Sequence, residues 1–126
     1  MSTRNTLVSD IMEEMDQRVL EFIKKHVTTF TRWDVIKFCH ENPHTVDTAE
    51  NLARYVGRAV EVIQQEAEEM TTEGIFQSTS KGGRTVYSLT DDPEIRRLIT
   101  ALVEGAQERT FRMKLVYHIL RAGGQV

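Results

Sequence analysis

TAENLARYVG (residues 48–57) runs directly into RAVEVIQQEAEEMTTEG (residues 58–74), and the reading of these two stretches decides the fold. Thr48 is a suitable N-cap, and Leu52, Ala53 and Val56 follow it as the apolar positions of a short helix. Gly57 can supply the positive φ of a tight turn. From Arg58 to Glu73 the apolar residues Ala59, Val60, Ile63, Ala67 and Met70 gather on one side of a second helix, which Gly74 ends. A single helix over Thr48–Glu73 is the alternative. It would place Gly57 in a helix interior at a cost of about 1 kcal/mol relative to alanine. In its favour, residues 57–60 contain no Ser, Thr, Asp or Asn to cap a new helix, and Arg54 and Arg58 would share a face. The spacing of the two glycines from Leu52 favours the broken helix.

Downstream, Ile75–Thr79 and Thr85–Leu89 are rich in β-branched and aromatic residues, and SKGGR between them predicts a hairpin turn. Asp92 caps the next helix, with Pro93 at its first position. Ile95, Leu98, Ile99, Leu102, Val103 and Ala106 form its apolar stripe. A last helix spans about Thr110 to Ala122 and is released by Gly123 and Gly124. Upstream, Ser9–His26 shows apolar residues at three- and four-residue steps: Ile11, Met12, Met15, Val19, Phe22 and Ile23. Ser9 is its expected cap, with Asp10, Glu13 and Glu14 near its positive end. Val27–Phe30 should weaken the helix. Thr31 offers a second N-cap with Asp34 in a capping-box relation. The helix that follows buries Trp33, Ile36 and Cys39, flanked by Val35 and Phe38, and ends before Pro43.

The chain has 126 residues, of which 40% are hydrophobic and 28% charged, which fits one globular domain, 1–126. No apolar run reaches the ~20 residues of a membrane span, and MSTRNTLVSD lacks the apolar centre of a secretory signal. One cysteine excludes an internal disulfide and fits a reducing compartment, so a cytoplasmic location is expected. The net charge of −3 is not that of a chain dominated by nucleic-acid binding, and the distribution of charge has to be read instead.

The glycine-broken helix pair followed by the hairpin IFQSTSKGGRTVYSL, with a tyrosine in its second strand, resembles a winged helix-turn-helix domain. The match covers about residues 31–90. The flanking helices, about 9–26 and 92–122, are similar to those of bacterial regulators of the MarR and PadR type, which dimerise through such helices. The fold expected is mainly α with a small β-hairpin wing, plus one N-terminal and two C-terminal helices. The resemblance implies a DNA-binding transcriptional regulator that acts as a homodimer on double-stranded DNA. The helix after the glycine turn would enter the major groove and the wing would touch the backbone. Arg58, Gln64 and Gln65 would then read bases or phosphates, and Arg54, Lys81 and Arg84 would hold phosphates.

The charge of that helix departs from the pattern. Arg58 stands against Glu61, Glu66, Glu68, Glu69 and Glu73, a balance that repels phosphate. With Ile63 inward, its outer face shows Arg58, Glu61, Gln65, Glu68, Glu69 and Thr72. A second reading is therefore a winged-helix protein-protein interaction module that binds a basic partner and not DNA. Glu61, Glu68 and Glu69 would form its face, with Glu66 nearer the core. Lys81 and Arg84 bracket the wing tip, where they serve either contact or solubility. Arg109, Arg112, Lys114, His118 and Arg121 make the last helix basic, as a contact or as a solvated face.

Other chemistry has little support. Cys39 and the adjacent His40 point about 100° apart on a helix and have no second ligand pair, so no metal or cofactor is expected. The plainer account is a buried Cys39 and an exposed His40. No catalytic motif appears, and no enzyme is expected. The last helix carries Phe111, Met113, Leu115, Val116, Tyr117, Ile119 and Leu120 around more than half its circumference. Either it is central to the core of one chain, or it joins Met12, Met15, Val19 and Phe22 in a shared dimer interface.

Overall fold

The structure, a computed structural model, describes residues 17–123. Six helices and one hairpin make up these residues: α1 (17–26), α2 (Phe30–Glu41), α3 (Ala49–Val56), α4 (Val60–Thr72), β1 (Phe76–Lys81), β2 (Arg84–Leu89), α5 (Pro93–Gly105) and α6 (Arg109–Arg121). Ser9, Asp10, Glu13, Glu14, Ile11, Met12, Met15 and Gly124 lie outside the described residues. Among the described residues no helix is long and apolar enough to cross a membrane.

Local chemistry sets most boundaries. Thr48 caps α3 by accepting from the Asn51 amide, and Gly57 ends that helix in the left-handed region at φ +69°. α4 then starts after Ala59 with no side-chain cap. The break at Gly57 excludes the single long helix. Asp92 accepts from the amides of Glu94 and Ile95 at the start of α5, where Pro93 cannot donate anyway. At α2 the expectation fails by two residues: Thr29, not Thr31, is the cap, accepting from the Arg32 amide at 3.1 Å. Thr31 sits inside the helix, fully buried, its hydroxyl without a partner. Asp34 makes no capping box; it faces Arg58.

The hairpin is longer and its turn tighter than expected. The strands pair antiparallel from Phe76↔Leu89 to Lys81↔Arg84, so Lys81 and Arg84 belong to the ladder and only Gly82 and Gly83 form the turn. Both glycines have positive φ, +59° and +78°, as a two-residue hairpin turn with mirror-image twist demands. Asp47 adds a one-residue bridge to the other edge of β2, exchanging both backbone hydrogen bonds with Tyr87. That bridge ties the wing base to the start of α3.

The core runs through every helix. Ile36, Leu52, Ile63, Met70, Ile75, Ile99, Leu102 and Ile119 are fully buried. Each such aliphatic side chain contributes about 1.5–3 kcal/mol through burial. On α2 the buried apolar side chains are Val35, Ile36 and Cys39; Trp33 and Phe38 are only partly buried, and His40 is partly covered instead of exposed. Burial pushes the Cys39 thiol up to about 12, so it stays protonated. Val19 and Phe22 of α1 pack into this same core, which removes them from any shared interface.

α6 is not central. Leu115 and Ile119 are buried and Phe111 packs beside them, but Met113 and Leu120 are 63% and 60% exposed, with Val116 and Tyr117 also outward. One side of α6 seals the core. Its opposite side is open.

Candidate nucleic-acid interface

Three of the five glutamates after Arg58 point toward α2, not outward. Glu66, Glu69 and Glu73 stand at i, i+3 and i+7, one stripe of a helix and its end. Arg32, 4% exposed, reaches all three: Nε to Glu66 at 2.5 Å, Nη2 to Glu69 at 2.8 Å and Nη2 to Glu73 at 2.9 Å. Its Nη1 also donates to the backbone carbonyl of His26 at 3.0 Å. The His26 ring lies 2.8 Å from Glu73, and the Thr29 hydroxyl donates to Glu66. Burial opposes the Arg32 charge, but hydrogen bonds and attraction from Glu73 and Glu66 outweigh it and push its pKa above the ordinary value. Burial likewise works against the Glu73 charge, and hydrogen bonds from Arg32 and His26 reverse it, holding that carboxyl below its ordinary value. Glu69 remains half-exposed, while Glu61 and Glu68 face solvent.

The expected readers divide. Arg58 precedes α4 and is only 21% exposed, because both Nε and Nη2 donate to Asp34 of α2, at 3.1 and 2.7 Å. It does not extend from the outer face, and it does not join Arg54. Arg54 is exposed and donates to the Asn51 side chain one turn earlier. Gln64 and Gln65 are exposed and donate at 3.3 Å to Glu68 and Glu69, one turn on.

At the wing tip Lys81 and Arg84 form the last cross-strand pair, both exposed, and among the described residues neither makes an ion pair. Two like charges directly opposite each other destabilise a hairpin slightly. Arg84 and Gln64 share an open cleft of about 370 Å³ with Ala49, Glu50, Thr85 and Tyr87. It lies between the start of α3, the N-terminal half of α4 and β2. Burial holds the Tyr87 phenol above its ordinary value. The structure thus brings Gln64 together with Arg84, sets Lys81 across the ladder from Arg84, and pairs Arg58 with Asp34.

Arg32 is the residue that sequence reasoning missed. Its partners lie 34 to 41 residues away, so no local period announces the contact. The stripe Glu66–Glu69–Glu73 was the available signal: acids at helical spacing beside buried positions need a cation across the interface.

No family model matches the sequence, and no curated protein matches it. Solved structures do. A predicted DNA-binding transcriptional regulator from E. coli superposes at TM-score 0.56 with 18% identity, over 76% of this chain and 96% of that one. A homodimeric winged helix-turn-helix DNA-binding domain from Mycobacterium bovis, from a possible ArsR-family transcriptional regulator, superposes at TM-score 0.59 with 14% identity. That match covers 89% of this chain and 93% of the domain. At such identities the likeness concerns the path of the backbone, and it extends beyond the wing to the flanking helices. The chain folds as a winged helix-turn-helix.

Proposed function

We propose that the chain is a DNA-binding transcriptional regulator that acts as a homodimer. One observation carries this reading: Lys81 and Arg84, exposed and without an ion partner among the described residues, stand at the wing tip, with Arg84 beside Gln64 of α4, while Arg32 draws Glu66, Glu69 and Glu73 to the α2 flank of that helix. In this reading α4 lies in the major groove with Gln64 and Gln65 toward base edges, and Lys81, Arg84 and Arg54 contact phosphates. Arg58 is a brace to Asp34 and not a reader. The regulators that share the fold support the same reading, and the homodimeric assembly of the M. bovis domain together with the open face of α6 supports a dimer. Sedimentation equilibrium should give twice the chain mass of 14.5 kDa; the single-chain mass at all concentrations would remove the dimer.

The experiment is fluorescence anisotropy of a labelled random-sequence duplex between roughly 30 and 200 mM salt. Binding is expected at low salt and should fall steeply as salt rises. Lys81→Glu with Arg84→Glu should weaken it and flatten the log–log salt slope by about two. Unaltered binding in that variant would overturn the wing assignment. Exposed Glu61 and Glu68 favour the second reading, a protein-binding winged helix with a basic partner. Absence of duplex binding at the lowest salt would select it.

A further inference from the structure

Lys114, His118 and Arg121 follow one another along α6 at steps of four and three residues, and Lys24 stands in the last turn of α1. Two cavities meet at His118. One, about 90 Å³, is a slot between the two helices lined by Leu20, Ile23, Phe111, Lys114, Leu115 and His118. The other, about 340 Å³ and open to solvent, is lined by Lys24, Tyr117, His118, Arg121 and Ala122. Among the described residues none of these cations pairs with a carboxylate. Burial first, and then the charges of Lys24 and Arg121, hold the His118 imidazole below its ordinary value. Tyr117 meets the His118 ring edge-on at 5.3 Å between centroids.

Cations in the last turn of a helix offset its dipole, and that alone would place Lys24 and Arg121 at these ends. It does not explain the apolar slot that opens beside them. A cationic mouth next to a small, mainly apolar slot matches a ligand with the same division. We infer that the α1–α6 groove binds a small monocarboxylate with an apolar body, its carboxylate between Lys24 and Arg121 and its hydrocarbon in the slot beside Phe111 and Leu115. The open face of α6, with Met113, Val116 and Leu120, is a different side of the helix and takes no part.

Hexanoate is the probe, titrated into the full chain by calorimetry, with 1-hexanol, inorganic phosphate and anionic phospholipid vesicles as separate arms. Saturable binding of hexanoate is expected, with the alcohol and phosphate each at least about tenfold weaker, since each lacks one half of the match. Lys24→Gln with Arg121→Gln replaces two exposed side chains, should leave the circular dichroism unchanged, and should weaken hexanoate about tenfold or more. The His118 ring signal, followed by NMR against pH, should titrate at higher pH with hexanoate present, because a bound anion favours the imidazolium. Equal binding of phosphate, equal binding of hexanol, preference for vesicles, no saturation, or an unmoved His118 titration would each overturn the site. Neither readout involves DNA, so the groove is tested independently of the regulator reading.

Discussion

On the flank of α4 that faces α2, Arg32 is 4% exposed and engages Glu66, Glu69 and Glu73, while Thr29 and His26 fill in around them. At the wing tip Lys81 and Arg84 stand in solvent without an ion partner among the described residues. Both regions carry several charges within a few residues, and they use them differently. The first set is centred on a buried arginine and committed to joining two helices. The second is hydrated, adjustable and available. A count of charges along α4 therefore overstates what a ligand would meet, because three of the five acids are already answered from inside the chain.

The comparison breaks most visibly at Arg32. Arg32→Met leaves three carboxylates close together without a cation and should cost about 3 kcal/mol or more of unfolding free energy. Urea unfolding reads it, and a loss under 1 kcal/mol would mean the cluster is as loosely held as a surface pair. Acid sharpens the same contrast. Glu73 has a folded pKa below its ordinary value near 4.5, so its stabilisation is complete above that value and is lost as pH falls through the lower folded one. The thermal midpoint should drop on acidification through this window, and less steeply in Glu73→Gln. An identical drop in that variant would place the acid sensitivity elsewhere. The smallest effect belongs to the tip: Lys81→Ala with Arg84→Ala should change stability by no more than about 0.5 kcal/mol, and toward gain, since it removes a like-charge pair. A loss of 1 kcal/mol or more in a melt would show that the tip is structural after all.

What the residues disclose follows the range of the interaction. Gly57 and Gly74 mark positive φ where the backbone turns, and Thr48 and Asp92 cap the helices they precede. These are effects within a few residues and can be read along the chain. The cap of α2 is ambiguous from sequence because Thr29 and Thr31 are both β-branched hydroxyls two residues apart. Thr29 prevails because its hydroxyl also reaches Glu66, 37 residues away. The hairpin turn was expected to take all of SKGGR, yet two glycines suffice, since paired positive φ values let the strands run to Lys81 and Arg84. Arg58 shows the same limit at the candidate interface. Its position after the glycine turn suggested a reader, and Asp34 on another helix claims it. Gln64 and Arg84 meet in one cleft for reasons that only the packing of α3, α4 and β2 supplies.

The two arginine contacts also have a mechanical meaning. Arg58–Asp34 ties the start of α4 to α2, and Arg32 with Glu66, Glu69 and Glu73 ties its second half to the same helix. On α2 the two fastenings start within one turn, at Arg32 and Asp34, and on α4 they spread apart. With a rise of about 1.5 Å per residue, the fastenings span roughly 20 Å, most of the length of α4. α2 and α4 therefore form a truss. The end of α1 meets the same truss, because His26 bonds to Glu73 through its ring and to Arg32 through its carbonyl, so three helices share one set of charges.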